Sequence, residues 1–197
     1  LANYGKELEE RAYITYKEKS TIADIKGVDE NYRLVTGVDS TLYFGNWGNS
    51  EFEGVIGIGI YNLLGVPTNN RKPLEVLVPK PGKGSISPQG FNSKPYDELP
   101  LTITGVYAVE ENLDKKYVFT QLPLVQNLLQ KDSTEVSGIN FKLEEKADVE
   151  AVREAVKKVL GDKVIVLSRR EQNNSLYRML NTENLATYLI FTLVLII

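Results

Sequence analysis

The chain has 197 residues, 42% hydrophobic and 25% charged, enough to bury a sizeable core as one domain or two small ones. A net charge of −3 argues against a nucleic-acid binder, which needs a basic face to neutralise phosphates. The absence of Cys and His removes disulfides, thiolate metal sites, Ser-His-Asp and Cys-His catalysis and HExxH zinc sites; chemistry would have to rest on carboxylates, Lys, Tyr or a metal held by oxygen, and the reading adopted is a non-enzymatic chain with no cofactor and no metal.

In chain order, residues 11–19 (RAYITYKEK) and 22–28 (IADIKGV) alternate with period two and predict two strands joined at Ser20-Thr21. After a polar break at 29–31, residues 32–42 are helix or loop, and 46–49 (NWGN) are a turn by their Gly and Asn content. The stretch 53–66 (EGVIGIGIYNLLGV) starts as strand, becomes helix near Ile60 and ends at Gly65. Residues 74–79 (LEVLVP) are a short buried strand and 99–109 (LPLTITGVYAV) the next one.

Between these two lies the most irregular part of the chain. Residues 80–98 (KPGKGSISPQGFNSKPYDE) hold three Pro and three Gly, with Phe91 between Pro88 and Pro95. A loop of this length inside a domain is usually functional or disordered. An aromatic framed by prolines suits a stiff loop that presents a side chain; the alternative is a mobile loop whose Phe tucks back onto its own domain.

Regular patterning resumes at 117–121 (YVFTQ), a strand. A helix follows over 122–129, with Pro123 in its first turn. Residues 136–143 form a strand, and 147–160 an amphipathic helix with Val149, Val152, Val156 and Leu160 on one face. Glu150 near its start, Lys157 and Lys158 near its end, and Gly161 after it fit the helix dipole and a C-terminal stop. Residues 163–167 (KVIVL) complete the pattern as a closing strand, so that 117–167 reads as an α+β unit.

Three motif fragments carry no chemistry. Gly54, Gly57 and Gly59 do not match GxGxxG, and instead suit close strand–helix packing. Gly82-Lys83-Gly84-Ser85 lacks phosphate-loop spacing, and the pairs Glu9/Glu10, Glu110/Glu111 and Glu144/Glu145 sit at adjacent positions that point apart.

The chain closes on residues 185–197 (LATYLIFTLVLII), uncharged and shorter than the roughly 20 residues a membrane-spanning helix needs. This is the start of a truncated transmembrane segment, entered through Leu185, Tyr188, Leu189 and Phe191; a buried C-terminal helix or strand is the alternative. The N-terminus carries no initiator Met and no signal-peptide pattern, which fits a fragment. Residues 168–184 form a connector helix. Its Arg169, Arg170 and Arg178 lean towards a cytoplasmic flank, although that rule is calibrated on short loops.

Four segments in this order carry a resemblance: IKGVDENY from Ile25, GIGIYNLLG at 57–65, LEVLVP at 74–79, and NSLYRMLNTEN at 174–184 before the apolar end. Together they resemble the periplasmic domain of FtsX-like/MacB-type ABC transporter permeases, most closely the lipoprotein-releasing LolC/LolE branch. The resemblance implies an α+β, two-lobed periplasmic domain. Residues 1–73 would be mainly a Sabre-like lobe, and 74–167 a Porter-like α+β lobe with a protruding loop at 80–98.

The resemblance places the domain on the periplasmic side of the inner membrane and implies a role without catalysis: coupling ATP hydrolysis by a cytoplasmic ABC ATPase to release of outer-membrane lipoproteins. The implied partners are that ATPase, a periplasmic lipoprotein chaperone or adaptor, the lipoprotein substrate and a second permease copy or sister subunit. By position, the family's chaperone-recruiting Hook falls on Ser87, Pro88, Gln89, Gly90, Phe91, Asn92, Lys94 and Pro95. Alternatives are a MacB-like efflux permease that contacts a periplasmic adaptor, and an FtsX-like scaffold that recruits cell-wall hydrolases.

Overall fold

Six strands hydrogen-bond in a closed circuit, and the circuit begins with one long hairpin. In this computed structural model, which describes residues 3–48, 50–80, 95–161 and 164–172, β1 (Asn3–Tyr16) and β2 (Lys19–Val28) pair antiparallel from Tyr16↔Lys19 to Glu7↔Val28. The turn needs only Lys17 and Glu18, with Lys17 in the left-handed region at φ 55°. The hairpin is therefore longer than the alternation at 11–28 predicts, and its turn lies just before Ser20-Thr21.

The chain then runs through α1 (Tyr32–Thr36), a 3-10 turn (Val38–Thr41), β3 (Leu42–Gly45), β4 (Glu53–Gly57) and α2 (Ile58–Leu64). Gly65 closes α2 in the left-handed conformation, donating its N–H to Tyr61, as a C-terminal glycine should. Next come β5 (Leu74–Pro79), β6 (Tyr96–Tyr107), α3 (Glu111–Asp114), β7 (Tyr117–Gln121), α4 (Leu122–Leu128) and β8 (Gly138–Lys142). β2 pairs parallel with β7, β7 antiparallel with β4, β4 parallel with β6, β6 antiparallel with β5, and β5 antiparallel with β1, which completes the ring. β3 joins the edge of β6 and β8 pairs with the start of β1.

Alternation along these strands separates two cores. One face carries Ile14, Ile25, Ile56, Val76, Leu101 and Val118, and α2 and α4 add Ile60, Leu64, Leu122 and Val125 to the same cluster. The other face gathers Tyr32, Trp47, Val55, Tyr107 and Phe119, with Phe119 edge-on to Trp47 at 5.3 Å and to Tyr107 at 5.4 Å. The glycines at the β4–α2 junction act as the spacing implies: a Cβ on Gly57 would lie 2.1 Å from the Asp114 carbonyl oxygen, so α3 packs directly on that backbone.

The chain divides into two compact units, Leu1–Lys142 and Leu143–Ile197. The expected lobes, residues 1–73 and 74–167, both supply strands to this one sheet. In the second unit, α5 (Val149–Leu160) is capped by Asp148, whose Oδ1 accepts from the Glu150 and Ala151 N–H groups. Its apolar stripe is present, yet no residue of the helix is buried.

Residues 164–168 form no strand, contrary to the closing strand expected at 163–167. No strand lies alongside them in the described residues, and Ile165 is 86% exposed. Ser168 caps α6 (Arg169–Gln172) in a reciprocal box with Glu171, and Arg153 of α5 pairs with Glu171 at 3.1 Å. No helix among the described residues is long and apolar enough to cross a membrane; residues 173–197 lie outside them.

Candidate functional site

The predicted contact loop grows out of a hairpin whose two strands are held from the core side. Leu74, Val76 and Val78 of β5 and Leu99 and Leu101 of β6 are buried, and the strands pair from Leu74↔Leu101 to Pro79↔Tyr96. β6 therefore begins three residues earlier than the apolar run at Leu99 indicates, and Tyr96, Asp97 and Glu98 belong to the hairpin. One further bond closes its mouth: the Lys80 N–H donates to the Pro95 carbonyl at 3.0 Å.

Of the residues assigned to the contact tip, Pro95 is described, and it is exposed. Ser87, Pro88, Gln89, Gly90, Phe91, Asn92 and Lys94 lie outside the described residues. So do the membrane-entry residues Leu185, Tyr188, Leu189 and Phe191.

Side chains brace the base of the hairpin. Asp97 pairs with Lys80 at 3.6 Å, and the Gln130 amide, just beyond α4, donates to its other oxygen at 2.8 Å. Between β6 and α4 runs an open groove of about 710 Å³, lined by Phe52, Tyr96, Pro100 and Leu124 among others, with Glu98 adding a charge. The arrangement presents a loop from a fixed base beside a partly apolar groove. It suits binding, and among the described residues no cluster of His, Cys, Asp or Glu could hold a metal ion.

Sequence reasoning missed a charged network on the other face of the β1–β2 hairpin. Lys26 is 6% exposed and lies between Glu9 at 2.8 Å and Glu7 at 3.4 Å, with the Tyr117 ring centroid 4.4 Å away. Asn140 donates to Glu7 at 2.9 Å. Lys116 continues the network to Glu9 and Asp24, both at 3.8 Å. Burial works against the Lys26 ammonium, but the two glutamates outweigh it and hold its pKa above the ordinary lysine value. Burial, and then Glu7, push the Tyr32 phenol far above its ordinary value, while burial and Glu9 raise Asp24 despite Lys116 and Arg11. The signal was Lys26 itself, a charge between Ile25 and Gly27 in a buried strand.

No protein-family model matches the sequence, and no curated protein matches it either. Solved structures do. The extracellular domain of the noncanonic ABC-type transporter YknZ from Gram-positive bacteria superposes with a TM-score of 0.56 at 13% identity, over 83% of this chain and 78% of that one. The periplasmic region of MacB from Actinobacillus actinomycetemcomitans gives 0.53 at 16% identity, over 83% and 69%. The chain shares the fold of these two domains. The α+β class expected from the sequence is thus the observed one, with a large mixed sheet and few helices.

Proposed function

We propose that this chain is the extracytoplasmic domain of an FtsX/MacB-type ABC transporter permease, placed on the periplasmic side of the inner membrane. The observation that carries the reading is the shared fold with two transporter domains, YknZ and MacB, over 83% of the chain. In this role the domain performs no catalysis. A cytoplasmic ATPase drives the permease, and the domain passes that motion to partners outside the membrane, within a dimer of permease copies or sister subunits.

The finer reading is release of outer-membrane lipoproteins to a periplasmic chaperone, through the loop between β5 and β6. It is supported by the LEVLVP strand, by the fixed hairpin base and by the Pro-framed Phe91 in the loop sequence. The fold likeness to MacB supports a second reading, in which the same loop meets a periplasmic adaptor.

The test is binding of the chain to a purified lipoprotein chaperone and, separately, to a periplasmic adaptor. Each is repeated with Phe91→Ala and with residues 83–94 deleted. Chaperone binding lost on deletion supports lipoprotein release, and adaptor binding lost on deletion supports the second reading. Binding to neither, or binding that the deletion leaves unchanged, overturns the assignment of the loop.

A further inference from the structure

A closed ring of strands has no edge, so the edges open to a partner belong to the strands outside it. Among the described residues these are β3, which pairs with β6, and β8, which pairs with β1. β3 is a poor template, with four residues, a shift of register against β6 and Gly45 at φ 85°. β8 carries none of these interruptions. It pairs with β1 at five successive positions, from Asn3↔Lys142 to Glu7↔Gly138, without a shift or a proline. No strand among the described residues takes its far side. An edge left this regular is a template for another strand.

The ribbon that β8 forms with β1 is also bare on one face. The alternation that sends Leu8, Ala12 and Ile14 into the core puts Tyr4 and Lys6 on the same side, together with their partners Phe141 and Ile139. Tyr4, Ile139 and Phe141 are 48, 46 and 40% exposed, and the two rings lie 6.5 Å apart. On the opposite face α1 packs on Gly5, and Lys142 donates to the Leu34 carbonyl at 3.3 Å. There the Glu7 carboxylate lies across Gly138, where an added Cβ would come within 2.9 Å of its Oε1. The other oxygen, Oε2, holds Lys26 and Asn140.

These features complement a second copy of themselves. Two β8 strands laid antiparallel about Asn140 set Ile139 of one copy opposite Phe141 of the other. Tyr4, Phe141 and the second copy's Ile139 then form one apolar row, which the two-fold axis repeats. On the other face Lys142 comes opposite the second copy's Gly138, beside the carboxylate of its Glu7. A register centred on Ile139 or on Phe141 puts Asn140 or Glu144 opposite Gly138 instead, and that charge pair is lost. We infer that the free edge of β8 is an interface at which a second copy of this chain adds its own β8, antiparallel and centred on Asn140. The inference gives the second permease copy of the proposed function a docking edge, and it rests on that reading for its setting.

The chain has no cysteine, so introduced cysteines report the register directly. Residues directly opposite lie about 5 Å apart and diagonal ones about 7–8 Å, beyond what a disulfide spans. Ile139→Cys and Phe141→Cys, both at exposed positions, are made in the full 197-residue chain and oxidised in a glutathione buffer, each alone and mixed in equal amounts. The mixture should give disulfide-linked dimer about tenfold above either chain alone. Lys142→Glu added to both chains should lower that yield about fivefold with an unchanged thermal midpoint. Equal yields in the three samples, as association through another surface would give, overturn the interface. So does the absence of dimer from the mixture, or a yield that Lys142→Glu leaves unchanged. None of these results touches the chaperone and adaptor tests of the loop, so the transporter reading stands or falls separately.

Discussion

The two hairpins of the closed sheet bury the same kind of residue and end in opposite ways. β1–β2 pairs over ten positions and reverses within two residues, Lys17 and Glu18. β5–β6 pairs over six positions and then gives residues 80–95 to its connection. Inside, Ile14 and Leu101 are both fully buried in the same cluster. On the other face, the first hairpin pairs Lys26 with Glu7 and Glu9, while the second places Glu98 at an open groove. A tight turn fixes register, because a slip of one residue would bring Glu7, Glu9 and Lys26 into the apolar core. A long connection adds little to register but can carry recognition. Hence the first hairpin is built for closure, while the second has the long connection to which partner binding is assigned in the proposal above.

The largest effect should come from the shared interior. Ile14→Ala and Leu101→Ala each remove a fully buried side chain from the main cluster and should each cost about 2–5 kcal/mol in urea denaturation. Equal losses mean that both hairpins belong to one cooperative core. A loss below about 1 kcal/mol at Leu101 alone would separate β5–β6 from that core and break the comparison.

The outer faces should differ next. Lys26→Ala leaves Glu7 and Glu9 partly buried beside each other and should cost about 2 kcal/mol, less than a fully buried pair because both carboxylates keep some solvent. The sign of its pH dependence follows from the raised pKa. The stabilisation is complete below the unfolded lysine value of about 10.4 and disappears as pH rises through the higher folded value. Denaturation of wild type and variant should therefore differ by a constant amount from neutral pH to mildly alkaline pH and converge only beyond it. A gap that closes on acidification instead would assign the effect to the glutamates.

Local signals were legible in the sequence. Leu74–Pro79 and Tyr117–Gln121 are short apolar runs between turn residues, α2 ends at its glycine, and α4 starts with a proline in its first turn. Ring closure was not legible, because it depends on the parallel pairs β2–β7 and β4–β6, which join segments far apart in the chain. The Glu and Lys residues of β1 hid its first half, since their partners come from β2 and from Asn140. The run at 163–167 misled because apolar content does not make a strand without an edge to pair with.

The smallest stability effect, and the one that separates the hairpins most clearly, concerns their ends. Replacing residues 81–94 with Asn-Gly shortens the β5–β6 connection to four residues, about two doublings, and loop-closure entropy predicts a gain of roughly 1.2 kcal/mol if the Lys80–Pro95 bond is kept. Moving the removed segment into the Lys17–Glu18 turn should cost roughly 1.8 kcal/mol by the same relation, because that turn starts at two residues. It should also loosen the Tyr16↔Lys19 end of the register, seen as faster amide exchange there. Partner binding should disappear in the first variant although its fold is more stable than before, since only the segment proposed to bind has gone. A first variant that is clearly less stable than wild type would mean that the connection packs on the domain and is part of its structure, and presentation would no longer distinguish the second hairpin from the first.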